Sequence, residues 1–339
     1  MEPSKPIIEI RTGSDSDISR IHAAYKLLGR LGIGYSPRIL SAHRTPEVMS
    51  AEARALQGNG FRVSICAAGG SAHLPGMTAS ETLLPVIGIP VPTNLFGGID
   101  SLLSIIQMPD GIPVGTAGIG QAEQAALLAA QIASLDQPAM RNRIRLLRGI
   151  LQPVKDDTAL QRHIGILLPP DFEAGKAAYQ QLLALLGSMA LQYTECSLSG
   201  TGESACRSLL QEWENKGTLA IIAVQALQPG TSARSYIPAY ATQTDLPVIV
   251  LPVLQNSENW VSAITALTEQ VFSAAGESLV PLIAMGVNRY LNAGLFAAQV
   301  AGLYFPAVRQ NLESYRRKMA GAVRDKDSAL LREGVGKFL

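Results

Sequence analysis

The sequence contains little cysteine, histidine or aromatic residue, and each shortage excludes a class of protein. Three cysteines, Cys66, Cys196 and Cys206, are spread over 339 residues without a CxxC pair. This spacing excludes a disulfide framework and a cysteine-based zinc site. The four histidines are equally scattered, and only 5% of the residues are aromatic. The sequence therefore contains no pattern of metal ligands.

Neither sign of charge is in excess, and no hydrophobic run is long. The chain has 28 basic and 27 acidic residues, a formal net charge of +1, which gives no electrostatic basis for binding nucleic acid or an anionic membrane. The apolar run at 83–92 is about half a membrane span. The N-terminus, MEPSKPIIEI, lacks the basic region of a signal peptide. We therefore expect a cytoplasmic protein that binds neither nucleic acid nor membrane.

The chain does contain a regular alternation of strand-like and helix-like segments. Short apolar runs predict strands, and apolar residues three and four positions apart predict helices. The predicted strands are 7–10, 37–40, 63–67, 85–91 and 112–116, and the predicted helices are 17–32, 46–58 and 122–135. This order predicts an α/β fold with a parallel sheet covered by helices on both faces.

The same pattern recurs in the second half of the chain. Residues 124–148 align with 292–316 with eleven identities in 25 positions, and LPVIGIPV (84–91) matches LPVIVLPV (246–253). The repeat predicts two tandem domains, 1–150 and 151–339, the second ending in a helix and a frayed polar tail from residue 320. The alternative is one large sheet with an accidental repeat.

Loops that follow parallel strands open at the carboxyl edge of the sheet, where ligands bind. The first such loop, GSDSD at 13–17, contains Ser14 and Ser16 ahead of a helix whose N-terminus suits a phosphate. Asp17 can accept hydrogen bonds from a ribose diol. A serine or aspartate in this position is equally typical of a helix cap.

The second loop, SAHRTP at 41–46, contains the titratable imidazole of His43, with Ser41 and Arg44 on either side. An arginine can pair with a phosphate. The alternative is that Pro46 starts a helix, Thr45 caps it and His43 is merely exposed.

The third loop, AAGGSAHLPG at 67–76, pairs Gly69 with Gly70 beside Ser71 and His73. Paired glycines allow the backbone to approach a flat ligand closely, although they also form ordinary turns. A short helix between the glycines at 97–98 and residues 107–109 is either part of a mobile glycine loop or a flap over the site.

The second copy lacks these candidate residues. At an offset of 156, Pro169 and Pro170 replace Gly13 and Ser14, and two prolines remove both amide donors. His43 and Arg44 become Ser199 and Gly200, and Arg234 falls near the position of His73. The asymmetry predicts a functional first copy and a second copy that serves as a scaffold.

Together, the motifs GSDSD, SAHRTP, GGSAHLPGM, LPVIGIPV, DSLLSIIQMPDGIPVGT and ALLAAQI resemble the PurE family. Its members are N5-carboxyaminoimidazole ribonucleotide mutases, also called phosphoribosylaminoimidazole carboxylase catalytic subunits. The motifs cover nearly all of residues 7–135, whereas the second half resembles the family only faintly.

The resemblance implies a flavodoxin-like three-layer α/β fold and a carboxyl shift in purine synthesis without metal or cofactor. Carbon dioxide released from a carbamate is recaptured by imidazole carbon 4 of an aminoimidazole ribonucleotide. His43 would be the general acid/base. The nucleotide would be bound by Ser14, Ser16, Asp17, Ser41 and Arg44, and the base and carbon dioxide by Gly69, Gly70, Ser71 and His73.

The sequence departs from the family pattern at Ala67, whose extra methyl is expected to crowd the pocket, and at 121–124, where an asparagine is missing. Asn292 of the second copy retains that asparagine. Two alternatives stay open: a carboxylase that uses carbon dioxide directly, and a nucleotide-binding pseudoenzyme. Because the family forms octamers, the tandem chain is expected to form a tetramer that imitates one.

Overall fold

The computed structural model describes residues 5–94, 96–155, 158–170, 172–173, 176–198, 203–228, 235–254, 260–273 and 279–337. Within these ranges no helix is long and apolar enough to cross a membrane. Ten strands form a single sheet. They are β1 (Ile8–Thr12), β2 (Tyr35–Ile39), β3 (Val63–Gly69), β4 (Val86–Val91), β5 (Gly115–Thr116), β6 (His163–Leu168), β7 (Gln192–Ser197), β8 (Ala220–Ala226), β9 (Val248–Val253) and β10 (Leu282–Ala284).

The strand order shows two copies of one pattern joined edge to edge. The order across the sheet is β2-β1-β3-β4-β5-β10-β9-β8-β6-β7, so each half has the flavodoxin-like order 2-1-3-4-5. All pairs within a half are parallel, whereas β5 and β10 pair antiparallel with Thr116 opposite Ala284. The sheet is thus continuous, as in the single-sheet alternative, but its halves repeat as a duplication predicts.

The position of each strand in the sheet explains its composition. The inner strands β3 and β4 are apolar and almost wholly buried, because parallel strands are covered on both faces. The two edge strands, β2 and β7, alternate between exposed and half-buried residues. Pro37 lies in edge strand β2, where a missing backbone donor is tolerated.

Helices cover both faces of the sheet. They are Ser16–Arg20, His22–Leu31, Pro46–Ala55, Leu74–Glu81, Ile99–Ile106, Ala122–Ala133, Pro138–Leu147, Ala177–Ser188, Glu203–Lys216, Ile237–Ala241, Trp260–Leu267, Tyr290–Gly302 and Pro306–Glu333, with a π-helical segment at Thr268–Phe272 and a 3-10 turn at Val335–Lys337. The expectation of a frayed tail from residue 320 is wrong, because the last α-helix continues to Glu333. Alanine, leucine, lysine and arginine in this stretch are strong helix formers.

The last helix of each half crosses to the other half. Arg148, at the end of helix Pro138–Leu147, donates to the backbone carbonyls of Ala241 and Thr244. Arg316, its equivalent in the repeat, donates to the carbonyls of Ala79 and Ser80 in the first half. These contacts are reciprocal, so each half holds the carbonyl end of a helix in the other.

A buried ion-pair network strengthens one of these crossings. Arg141 Nε donates to Asp245 Oδ2 at 2.7 Å, and Arg145 Nη1 lies 2.5 Å from Asp245 Oδ1 and 2.9 Å from Glu214 Oε2. Burial alone would raise the pKa of Asp245, but the two guanidiniums outweigh it and hold that pKa below its usual value. The carboxylate therefore stays charged in a buried position.

Candidate functional site

A cavity of about 500 Å³ opens at the carboxyl edge of the first-half strands. It lies where the loops after β1, β2, β3 and β4 meet, because parallel strands end at the same side of the sheet. It is lined by Gly13, Ser14, Ser16, Asp17, Arg20, Ser41, Ala42, His43, Arg44, Ala68, Gly69, Ser71, His73, Leu74, Val91, Pro92, Thr93 and Asn94. Every residue expected in the site lies on this lining except Gly70.

The loop after β1 presents hydroxyl groups and one carboxylate to the cavity. Asp15 caps helix Ser16–Arg20 by accepting from the Ser16 backbone N–H at 3.0 Å. Ser16 Oγ donates to Ser14 Oγ at 3.1 Å, so the two hydroxyls lie side by side. Partial burial raises the pKa of Asp17, an effect that the nearby charge of Arg20 opposes. Asp15 therefore forms the helix cap, whereas Ser14, Ser16 and Asp17 line the cavity.

The loop after β2 turns Arg44 toward the first loop. The Arg44 backbone N–H donates to Ser41 Oγ at 3.1 Å, and Arg44 Nη2 donates to the Gly13 carbonyl at 2.9 Å. Thr45 Oγ1 accepts from the Ser41 backbone N–H and donates to the Ser41 carbonyl, so it closes the loop and does not cap helix Pro46–Ala55. The guanidinium is thus held against the end of β1, in the cavity that Ser14 and Ser16 also line.

Two imidazoles from different loops meet in the cavity. His43 Nε2 and His73 Nδ1 are 2.8 Å apart, and the rings are nearly perpendicular with centroids 5.0 Å apart. A hydrogen bond of this kind requires one nitrogen to donate and the other to accept. One proton therefore lies between the rings when both are neutral, and both rings are oriented by the contact.

Gly70 lies behind the cavity instead of lining it. Its backbone N–H donates to Ser101 Oγ at 2.8 Å, and its carbonyl accepts from Ser104 Oγ at 3.2 Å. Its φ of +63° is a left-handed conformation that favours glycine. The role of Gly70 is therefore to turn the chain between Gly69 and Ser71, while its amide is already bonded to helix Ile99–Ile106.

Sequence reasoning missed Arg20 and the residues after β4. Arg20 Nη1 donates to the Pro92 carbonyl at 3.0 Å, and Thr93 Oγ1 donates to the carboxylate of Asp100. A signal for residues 92–94 was available, because they follow a predicted strand at the same sheet edge. Arg20 lies three residues after Asp17, one turn along the same helix.

A comparison with known families identifies this arrangement. A family model described as AIR carboxylase matches residues 7–151 and again residues 180–322. Together the two matches span most of the chain. The chain belongs to the AIR carboxylase family. This finding confirms the resemblance to the PurE family, and the double match fits the expected tandem duplication.

The relatives named here each match less than half of the chain. The N5-carboxyaminoimidazole ribonucleotide mutase of Aquifex aeolicus is 51% identical over 134 residues, which are 40% of this chain and 80% of that protein. The mutase of Mycobacterium tuberculosis is 46% identical over 165 residues, or 48% of this chain and 95% of that protein. The crystal structure of Treponema denticola PurE is 30% identical and covers 42% of this chain and 90% of that chain, with a TM-score of 0.40.

The departure from the family pattern at Ala67 does not affect the cavity. Ala67 is fully buried in the main hydrophobic core with Ile8, Ile10 and Ile65, whereas the next residue, Ala68, lines the cavity. Successive side chains of a strand point to opposite faces of the sheet. The expectation that the Ala67 methyl crowds the pocket is therefore wrong.

The second half of this AIR carboxylase family member differs at the corresponding edge. Pro169 and Pro170 directly follow β6 and offer no backbone N–H to a ligand. Its other counterpart positions, 199–202 and 229–234, lie outside the described residues. Across the part of the chain that the structure describes, no group of three or more His, Cys, Asp and Glu side chains is placed to hold a metal ion.

Proposed function

We propose that the chain is an N5-carboxyaminoimidazole ribonucleotide mutase with one active site, in the first half. The single observation that carries the proposal is the pairing of His43 with His73 beside Arg44 and the Ser14–Ser16 hydroxyls in one cavity. A phosphate needs donors, a ribose diol needs an acceptor, and a proton shuttle needs a titratable base. The cavity contains all three, and relatives of this name support the assignment.

The nucleotide binds with its phosphate toward the first two loops. Arg20 and Arg44 each use one guanidinium nitrogen on a backbone carbonyl, which fixes their orientation and leaves other N–H groups for an anion. Ser14, Ser16 and Ser41 add hydroxyl donors. Asp17 accepts from the ribose, and the imidazole then lies toward Gly69, Ser71 and His73, with Gly70 shaping that loop.

One acid/base group suffices for the reaction. Cleavage of the N5 carbamate consumes one proton at the nitrogen and releases carbon dioxide. When carbon 4 captures the carbon dioxide, it loses its own proton and the ring becomes aromatic again. His43 supplies the first proton and accepts the second, so the site ends the cycle in its starting state. No metal or cofactor takes part in this proposal.

The decisive test replaces His43 with asparagine, which keeps polarity but cannot transfer a proton. His43→Asn is expected to lower turnover of N5-carboxyaminoimidazole ribonucleotide at least about 100-fold while nucleotide binding is retained. His22→Asn is the control, because His22 is exposed and outside the cavity. Full turnover by His43→Asn contradicts the mechanism, and no turnover by the parent supports the pseudoenzyme alternative.

The same assay separates the mutase from a direct carboxylase. The parent protein receives either N5-carboxyaminoimidazole ribonucleotide or aminoimidazole ribonucleotide with carbon dioxide. Faster turnover of N5-carboxyaminoimidazole ribonucleotide supports the mutase. Faster turnover of aminoimidazole ribonucleotide with carbon dioxide supports the carboxylase.

The proposed cytoplasmic enzyme is a tetramer that imitates an octamer of single-copy chains. Helices Ile99–Ile106 and Trp260–Leu267 occupy equivalent positions in the two halves, and their Ile99 and Val261, each more than half exposed, line one mostly apolar cavity. An exposed apolar patch of this kind is typical of an interaction surface. Sedimentation is expected to give four chains per particle, and a monodisperse monomer contradicts this proposal.

A further inference from the structure

The loop formed by residues 107–111 connects the second half of the molecule to the candidate site. It follows helix Ile99–Ile106, whose Ser101 and Ser104 bond to both backbone groups of Gly70. That helix therefore sets the glycine loop of the cavity. The position of the helix end therefore also determines the position of Gly70 and of the loop that precedes His73.

A buried asparagine of the second half holds the 107–111 loop. Asn292 Oδ1 accepts from the Gly111 N–H at 2.8 Å, and Asn292 Nδ2 donates to the carbonyls of Pro109 at 3.0 Å and Met108 at 3.4 Å. Asn292 is only 2% exposed. Its amide thus satisfies three backbone groups that lie about 180 positions away in the sequence.

Other residues of the second half support the same contact. The Ile106 carbonyl lies so close to Gly286 that a Cβ there would be 2.5 Å from it. Arg289 Nη1 lies 3.5 Å from Asp110 Oδ1, but both side chains are partly exposed, so this ion pair contributes little. The asparagine is therefore the specific part of the contact.

Packing transmits the position of the loop to the paired histidines. Met108 lies against Gly76, where an added Cβ would be 2.5 Å from Sδ. Gly76 belongs to helix Leu74–Glu81, and His73 is the residue immediately before that helix. A shift of Met108 therefore displaces the first turn of the helix and with it the His73 ring that contacts His43.

The repeat shows that this asparagine is present on one side only. The equivalent position in the first half is occupied by Gln124, and the second-half segment that corresponds to the 107–111 loop includes the π-helical residues Thr268–Phe272. Near that segment, Gln121 Nε2 of the first half donates to the Phe272 carbonyl at 2.8 Å. The asparagine thus belongs to the half that faces the 107–111 loop.

We propose that Asn292 is a positioning residue for the His43–His73 pair, so that the second half completes the first-half site. This inference rests on the proposed function. The second half then acts as more than a scaffold, since one of its side chains sets the geometry of the acid/base group without touching the substrate.

The test compares Asn292→Ala with the control Gln121→Ala, which removes a cross-half bond to the π-helical segment and none to the 107–111 loop. Asn292→Ala is expected to lower kcat by about 10–100-fold, as small misplacements of reacting groups do. KM is expected to change less than about threefold, because the proposed phosphate and ribose groups do not contact the 107–111 loop. Gln121→Ala is expected to retain kcat within about twofold.

Asn292→Gln separates positioning from general destabilisation. Glutamine keeps both the acceptor for Gly111 N–H and the donor to Pro109 and Met108, but its extra methylene shifts the amide against the 107–111 loop. Its kcat is expected to fall between the parent and Asn292→Ala, and this variant also serves if the alanine variant does not fold. Equal kcat in all variants, or equal loss in Asn292→Ala and Gln121→Ala, overturns the inference.

A measurement without turnover keeps this inference distinct from the proposed reaction. The chain has four histidines, so imidazole NMR signals can be assigned by single substitutions. In Asn292→Ala the signals of His43 and His73 are expected to shift while those of His22 and His163 stay in place. Unchanged His43 and His73 signals contradict the positioning role. If the signals shift but the parent protein shows no turnover, the mutase assignment is wrong and the positioning role stands.

Discussion

At the scale of single residues, the cavity combines charges of both signs in fixed orientations. Arg20 and Arg44 each donate to a backbone carbonyl, so their guanidiniums lose little freedom when an anion arrives. Asp17 is half-buried, and burial raises the pKa of its carboxyl. A carboxylate of this kind accepts hydrogen bonds strongly when charged, but it takes up a proton at a higher pH than an ordinary aspartate.

Asp17→Asn tests this role. The variant loses a charged acceptor for the ribose diol, and hydrogen bonds to charged groups contribute about 1.5–3 kcal/mol, so nucleotide affinity is expected to fall about 10–100-fold. Because burial raises the pKa of Asp17, the advantage of the parent over Asp17→Asn is expected to disappear as pH falls, starting at a higher pH than for an aspartate with an unshifted pKa.

Calorimetric titration of the nucleotide against both proteins over a series of pH values measures this ratio. The ratio also cancels the titration of the phosphate, which is common to both proteins. A constant ratio from neutral to acid pH contradicts the ribose contact.

At the scale of elements, helix Ile99–Ile106 joins the ends of β3 and β4. Ser101 Oγ accepts from the Gly70 N–H and donates to the Val91 carbonyl at 2.9 Å, and Asp100 accepts from Thr93 Oγ1. The segment predicted as a glycine loop or a flap is therefore bonded to two loops of the cavity. Its serines determine where the glycine backbone lies.

Ser101→Ala is expected to destabilise the fold and to lower activity together. Ser101 is fully buried, and its loss leaves the Gly70 N–H and the Val91 carbonyl without this partner, at a cost of about 1–3 kcal/mol. Ser80→Ala is the control, because Ser80 is exposed, its hydroxyl donates to the Met77 carbonyl within its own helix, and water can replace it. Denaturant titration and turnover measure both effects, and equal losses in the two variants contradict the argument.

Much of this arrangement could be predicted from the sequence, because alternating strands and helices imply a parallel sheet whose loops share one edge. The exceptions have local or long-range causes. The helix predicted at 17–32 is interrupted at Ile21, where φ is −109°, and the strand predicted at 112–116 is reduced to Gly115–Thr116. Both predictions rested on the spacing of apolar residues, and that spacing does not show where a helix is interrupted or where a strand begins.

The residues missed in the site have a different explanation. Residues 92–94 contain no charged side chain to suggest a function, and the bond between Arg20 and the Pro92 carbonyl joins residues 72 positions apart in the sequence. The antiparallel contact of β5 with β10 and the reach of Asn292 to the 107–111 loop depend on how the halves meet. A local pattern contains no information on that contact.

At the scale of the whole molecule, the two halves hold each other through exchanged helices. Arg148 and Arg316 make equivalent contacts in opposite directions, and the sheet runs without a break across β5 and β10. The chain therefore resembles a dimer whose subunits have been fused. The network around Asp245 is the most buried charged part of this junction.

Asp245→Asn is expected to lower the free energy of unfolding by about 3–5 kcal/mol at neutral pH, because it leaves buried guanidiniums without their anion. The folded-state pKa of Asp245 lies below its usual value. Its contribution is therefore present above the unfolded-state pKa of about 3.9 and is lost as pH falls through the folded-state pKa.

Denaturant unfolding of the parent and of Asp245→Asn measures this contribution from neutral to acid pH. The difference between their free energies of unfolding is expected to shrink as the pH falls. Glu52→Gln, which breaks the more exposed pair with Arg38, is the control and is expected to cost less than about 1 kcal/mol. The role of the network is contradicted if Asp245→Asn loses no more free energy of unfolding than Glu52→Gln. It is also contradicted if the loss for Asp245→Asn grows as the pH falls.

The most direct test of the whole account is a crystal structure of the protein with aminoimidazole ribonucleotide. The account predicts one nucleotide per chain, with the phosphate at Ser14 and Arg44 and the imidazole carbon 4 within about 3.5 Å of His43 or one water away. A nucleotide bound in the second half, or one whose imidazole faces away from His43, would contradict it.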